Sequence, residues 1–141
     1  MIRKALTVLF IFGFSFSLLG RFGVASNVSA QPIEEMHYGG VPYISGGIGL
    51  DEREQLETMG RNYDLKLVFA VQQGNYLSNV NVAIKGSSGK VVLEGVSNGP
   101  WFYADLPTGT YRISATAMGK TITKTAGVTE GRRTMLNFLW R

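Results

Sequence analysis

The chain contains no cysteine and only one histidine, His37, among its 141 residues. Without thiols there is no disulfide framework, no thiolate nucleophile and no cysteine-ligated metal centre. A single histidine cannot supply a two-histidine metal site within one chain. Charged residues are also sparse, at 17% of the sequence. The one long uncharged apolar run, residues 5–20 ("ALTVLFIFGFSFSLLG"), falls short of the roughly 20 residues that a membrane-spanning helix needs.

That run has a different signature. Arg3 and Lys4 precede it, and a polar stretch of small residues, "ASNVSA", follows it up to Ala30. Val28 and Ala30 occupy the −3 and −1 positions of a small-residue cleavage site, so residues 1–30 have the layout of a secretory signal peptide. Cleavage after Ala25 and a retained anchor are the alternatives. No cysteine is present to carry a lipid, and Arg3-Lys4 is not a twin-arginine signal. The expected mature chain is therefore periplasmic or secreted, with no stable membrane span. The formal charge of +4 includes Arg3, Lys4 and Arg21, and their loss removes most of the basicity that would suggest nucleic acid.

The charge left after residue 30 is segregated. Residues 31–64 carry seven acids against Arg53 and Arg61, a balance of −5, whereas residues 65–141 carry nine bases against three acids, a balance of +6. Either the two parts attract each other within one molecule, or the acidic part docks on a separate protein.

About 111 residues remain, enough for one domain with a core built by packing alone. Residues 31–63 form a glycine-rich lead-in followed by a short helix. "QPIEEMHYGGVPYISGGIG" holds Pro32 and Pro42 and no sustained period, apart from an extended piece over 41–44. In "LDEREQLETMG", Asp51, Glu52 and Glu54 suit a helix N-terminus, Leu56 and Met59 share a face, and Gly60 suits a left-handed stop. From residue 64 to 141 the apolar period falls to two. Seven short runs read as strands: 64–71, 80–85, 90–96, 101–106, 110–118, 120–128 and 134–140. Their turn signals recur at the spacing expected of an antiparallel sandwich. The sequence thus predicts an all-β, seven-stranded antiparallel Greek-key sandwich preceded by one short helix.

Within it, "NVNVAIKGSSGKVVLEGVSNGPWFYADLPTGTYRISATAMGK" resembles a carboxypeptidase regulatory-like (transthyretin-like, or prealbumin-like) domain. Leu106, Pro107, Gly109, Tyr111, Ile113, Ala115 and Gly119 stand in the places of its L-P-x-G-x-Y-x-[IV]-x-A corner and glycine turn. Together with "YISGGIGLDE" and "YDLKLVFA", the chain is similar to short secreted proteobacterial proteins carrying that domain. The resemblance implies a fold and is almost silent on activity. The corner makes physical sense. Pro107 fixes φ after Leu106 enters the core, Gly109 permits the reversal, and Tyr111 buries its ring while its hydroxyl reaches backbone at the bend.

Chemistry-bearing motifs are few. "SGGIGLDE" supplies two glycines of a dinucleotide fingerprint, but Glu52 stands at the third and Asp51-Glu52 would meet a phosphate with like charge. "KGSSGKVV" has the wrong spacing for a phosphate loop and reads as a hairpin. Glu34-Glu35 and Asp51-Glu52-Glu54 lack the ligand spacing of a calcium loop. His37 has no nucleophile arrangement around it. No catalytic residue, cofactor or metal site is expected. The resemblance to the hydroxyisourate hydrolase of the same fold class fails as well, since that enzyme needs several histidines and a different C-terminus.

Three aromatics, Trp101, Tyr103 and Tyr43, are the candidate ligand or partner surface. By alternation Trp101 and Tyr103 point away from the core face of Phe102. Left exposed, they could stack on sugars or anchor a protein. Covered by the Leu56/Met59 stripe or the lead-in, they would form a second small core. The expectation is a non-catalytic binding or structural module of the periplasm or cell envelope, with an unknown envelope protein or polysaccharide as partner and no nucleic acid. A carbohydrate-binding module is the main alternative, and a hydrolase of unknown type the third.

Overall fold

A computed structural model describes residues 32–141; the expected export segment, residues 1–30, lies outside the described residues. The chain is mostly strand, arranged as two sheets, with one short helix. The elements in order are β1 (Met36–Tyr38), β2 (Val41–Gly46), α1 (Leu50–Met59), β3 (Leu65–Val71), β4 (Asn81–Gly86), β5 (Val91–Val96), β6 (Trp101–Ala104), β7 (Gly109–Ala117), β8 (Lys120–Val128) and β9 (Thr134–Trp140). A 3-10 turn over Gly60–Asn62 follows α1. Sheet A runs β1-β2-β6-β3-β9 and sheet B runs β5-β4-β7-β8.

All seven runs that alternate in the sequence are strands here. Nine strands are present among the described residues rather than seven, because the lead-in folds into the β1–β2 hairpin. β2 is not peripheral; it pairs with β6 from Tyr43↔Ala104 to Gly46↔Trp101. The division drawn at residue 63 therefore falls inside one sheet. The second departure is that β9 runs parallel to β3, from Leu65↔Thr134 to Val71↔Trp140, so the sheets are not wholly antiparallel.

One core holds the two sheets together. Leu65, Leu67, Phe69, Phe102, Ala104, Phe138 and Trp140 face it from sheet A, and Val82, Ile84, Leu93, Ile113 and Ala115 from sheet B. These are alternate residues of their strands, which is how a period of two becomes a buried face. Phe69, Phe138 and Trp140 form an aromatic group with ring centroids 5.8–6.3 Å apart. Where the sheets meet at the β8–β9 margin, side chains bridge the gap. Thr134 Oγ1 donates to the Gly127 carbonyl at 2.9 Å and Trp140 Nε1 to the Lys120 carbonyl at 3.1 Å. Such links help cover an edge strand that would otherwise offer unpaired backbone.

The corner forms as its residues suggest. Leu106 and Tyr111 are buried, and the Tyr111 hydroxyl donates to the Pro107 carbonyl at 2.6 Å. Asp64, also buried, accepts the Leu106 N–H at 2.9 Å through Oδ1. Gly60 departs from expectation. It is right-handed, at φ −70°, and the chain continues into the 3-10 turn instead of reversing. Contact, not φ, requires a glycine there: a Cβ would lie 2.5 Å from Tyr103 Cε1.

Candidate binding surface

The loop before α1 is closed by the helix's own side chain. Glu52 Oε2 accepts the N–H groups of Gly47 at 3.1 Å and of Ile48 at 2.9 Å. Arg53 Nε donates to the Gly47 carbonyl at 2.8 Å. Backbone amides ahead of a helix can hold an anion, and here the anion is a carboxylate three residues into the helix. The two amides that a phosphate would need are taken, which is the physical reason that "GGIG" followed by "LDE" does not make a nucleotide loop.

Above this loop, α1 lies on the outer face of sheet A. Ile44, Leu56, Tyr63 and Tyr103 form a second buried cluster, with Ile33, Met59 and Trp101 packed at its edge. Tyr103 is fully buried and its ring meets that of Tyr63 edge-on at 6.4 Å. Its hydroxyl has no hydrogen-bonding partner among the described residues, and burial pushes its pKa up to about 12, against a lowering by the Arg133 charge. Tyr103 is therefore not available to a ligand. Tyr43 lies on the opposite side of the sheet, stacked on Phe102 at 5.3 Å and half-buried at the margin of the main core. Of the three candidate aromatics Trp101 and Tyr43 are each partly exposed, on opposite faces of the sheet, so the three do not form one platform.

Trp101 itself is flanked by cations. Lys66 Nζ sits 3.7 Å from its ring centroid, the Arg53 guanidinium carbon 5.8 Å away, and Gly47 lies against the indole carbons. Lys66 is 8% exposed, yet no carboxylate among the described residues lies within ion-pair distance. Burial lowers its pKa, opposed by Glu57 and assisted by Arg133. The aromatic faces supply the attraction that a carboxylate would otherwise provide. At the other end of the lead-in, Glu35 accepts the Tyr63 hydroxyl through Oε2 and lies 3.2 Å from His37 Nε2 through Oε1. Burial, then Glu35, holds the Tyr63 pKa far above its usual value. His37 thus helps fasten β1.

The surface that remains open was not apparent in the sequence. α1 covers the β2–β6 half of sheet A; on the other half Lys66 is buried, Val68 and Ala70 are half-buried, and the outward residues of β9 are exposed. Across the strands the outward positions form rows: Tyr103, Lys66 and Met135; Trp101, Val68 and Asn137; and Ala70 with Leu139. Tyr76 pairs with Ala70 on the side away from Leu139, and its ring lies 4.8 Å from the Arg53 guanidinium. Ile48, 67% exposed, and Leu50, 70% exposed, stand at the adjoining end of α1. Ile48, Leu50, Tyr76, Met135 and Leu139 are five of the eight large exposed apolar side chains among the described residues; Ile48 and Tyr76 line one shallow hollow with Arg53, and Met135 and Leu139 stand on the outward side of β9. The usable signal was in β9, "TMLNFLW", which is apolar at both phases of its alternation. A strand apolar on both faces is one that is covered on both.

Two further hollows among the described residues bear on function. One, about 360 Å³, is polar and lined by Arg61, Asp64, Asp105, Glu130, Arg132 and Arg133. The other, about 470 Å³, lies on the outer face of sheet B between Tyr38, Asn81, Glu94, Val96, Ser114 and Thr116. Among the described residues there is no cluster of three or more His, Asp or Glu placed to hold a metal, and no helix long and apolar enough to cross a membrane. No known family model matches the chain, and comparison with curated proteins returns no significant similarity.

Proposed function

We propose that this chain is an exported, non-catalytic module of the cell envelope that binds another protein through the outer face of sheet A. The single observation that carries the reading is the exposure of Ile48, Leu50 and Tyr76 about the start of α1 and of Met135 and Leu139 on the outward side of β9. Contiguous exposed apolar surface on a small protein marks an interaction site. Its centre has the residue types that dominate binding energy, with Arg53 set between the rings of Tyr76 and Trp101. The Greek-key, prealbumin-like topology and the carboxypeptidase regulatory-like family belong to the same proposal. They are supported by the Tyr111–Pro107 corner and by the seven alternating strands in their expected order.

Site-specific photo-crosslinking tests this. A crosslinker at Leu139, expressed in the full-length chain, yields a discrete adduct in the envelope that Met135→Glu abolishes while thermal stability is kept. A crosslinker at Thr123, on the outer face of sheet B, does not. Equal labelling from both positions would sink the proposal.

One observation favours the carbohydrate reading, though away from the aromatics first singled out for it. The 470 Å³ groove on sheet B combines the Tyr38 ring with Asn81, Glu94, Ser114 and Thr116, a set suited to a hydroxyl-rich ring. Retention on immobilised polysaccharide that Tyr38→Ala abolishes and Leu139→Glu leaves intact would select this reading over the first.

A further inference from the structure

We infer that the occupant of the β3–β9 strip is the α1 helix of a second copy of this chain, in a two-fold dimer; the inference rests on the protein-binding reading of the same face. Sheet A's outer face is a step. The helix raises the β2–β6 half, while beside it β9 exposes Met135 and Leu139 next to the half-buried Val68 and Ala70, with Arg133 reaching over the Tyr103 end to the Gly60 carbonyl. A two-fold axis lying in the interface and parallel to the strands exchanges left for right without moving anything along the strands. Each helix then lies over the other copy's strip, and Ile48 and Leu50 reach the partner's Leu139. This is an isologous contact, which closes at two copies. Five strands about 4.8 Å apart and between three and seven residues long give a face on the order of 400 Å² in projection. Helix relief takes its accessible area toward the roughly 800 Å² per partner of a standard interface.

Charge selects a second copy over an unrelated protein. The segregation of −5 and +6 along the sequence is met inside the molecule only in part: Arg133 donates to the Gly60 carbonyl beyond α1, and no ion pair joins the two parts among the described residues. α1 is seated by the apolar Leu56, and Asp51, Glu54 and Glu57 point outward, exposed. The only ion pair among the described residues is Glu35 with His37. The strip is bordered by bases: Lys124, whose Nζ donates to the Asn137 carbonyl, and Arg132 and Arg133, which precede β9. The levels agree as well. Glu57 lies at the Tyr103 end of the face, where β9 begins. Under the two-fold, Glu57 of one copy therefore comes to Arg132 of the other, at the interface rim.

Sedimentation of the chain purified after full-length expression tests the inference, over about 1 to 200 µM, a range that brackets weak to moderate dissociation constants. The expected result is a monomer–dimer equilibrium whose dissociation constant rises at least tenfold in Leu139→Glu. Glu57→Arg and Arg132→Glu each weaken the dimer about fivefold, and the double variant returns to within about twofold of the parent, as a charge swap across a rim should. A monomer at the highest concentration, a dimer unaffected by Leu139→Glu, or a double variant weaker than both singles each overturn the inference. The Leu139 crosslink separates this failure from that of the broader reading. An adduct to a different protein keeps the binding face and refutes self-association, whereas no adduct together with a monomer refutes both.

Discussion

Gly60→Ala is the sharpest test of how α1 is seated, and so of which half of sheet A is covered. At φ −70° and ψ −7° alanine is conformationally welcome, and by itself it would stabilise by about 0.4–1 kcal/mol through the unfolded chain. Space opposes it. The new Cβ would lie 2.5 Å from Tyr103 Cε1, 2.8 Å from Cδ1 and 3.0 Å from Cζ, where carbon atoms prefer about 3.5–4.0 Å. Tyr103 has little room to retreat, since Ile44, Leu56 and Tyr63 surround it and it is fully buried. Overpacking of this kind costs about 1–3 kcal/mol, leaving a net loss of about 1–2 kcal/mol and a fall in Tm of about 5–10 °C. Gly127→Ala is the matched control: its φ is not positive and nothing lies within 4 Å of its Cβ position, so it is neutral or slightly stabilising. In a Tyr103→Leu background the Gly60→Ala penalty shrinks, because leucine has no atoms where Cε1 and Cζ stood. Thermal unfolding followed by circular dichroism reads all four proteins. Equal Tm values for Gly60→Ala and Gly127→Ala would refute the seating of α1 on Tyr103.

Tyr111→Phe removes the hydroxyl that donates to the Pro107 carbonyl and lowers stability by about 1 kcal/mol, measured by urea unfolding with an unchanged m-value. Glu52→Ala strips two N–H groups of their acceptor and costs about 1–2 kcal/mol, and amide exchange at Gly47 and Ile48 accelerates while the core strands stay protected. Lys66 gives a pH test. Its folded pKa lies below the unfolded value, so the unfolded chain holds the extra proton in the window just under pH 10.5 and stability from this group rises with pH through that window. Lys66→Met flattens that rise when stability is compared between about pH 8 and pH 10. Tyr63 and Tyr103 act in the opposite sense above pH 10, where the unfolded tyrosines ionise first and stability falls. Unchanged alkaline behaviour in Lys66→Met would contradict the burial of its ammonium group.

The strands of residues 64–141 were legible because most have one face in the core and alternate accordingly, as in Val82 and Ile84 against Asn81 and Ala83. β2 was legible only in part, as the extended piece over 41–44, since it is covered on both sides. Tyr43 reaches the main core and Ile44 the second one, so no alternation survives, and Pro42 and Gly46 disguise it further. Gly60 misled because a glycine after a helix is usually explained by φ, whereas here the cause is a ring arriving from a strand some forty residues later. The proposed surface was only half legible. Trp101 stood out by residue type, but Tyr76 on a loop and Met135 and Leu139 on β9 join it only through strand pairing.

The amino-acid order by itself determined the periodicity, the corner at Leu106–Tyr111, the absence of thiol chemistry and the segregation of charge, because each depends on near neighbours or on composition. Only the tertiary structure decided which aromatics are buried, that Glu52 fills its own loop, and that the acids of α1 face outward while apolar side chains of β9 stay exposed. Those outcomes depend on which strands become neighbours across a sheet, and local spacing does not encode that choice.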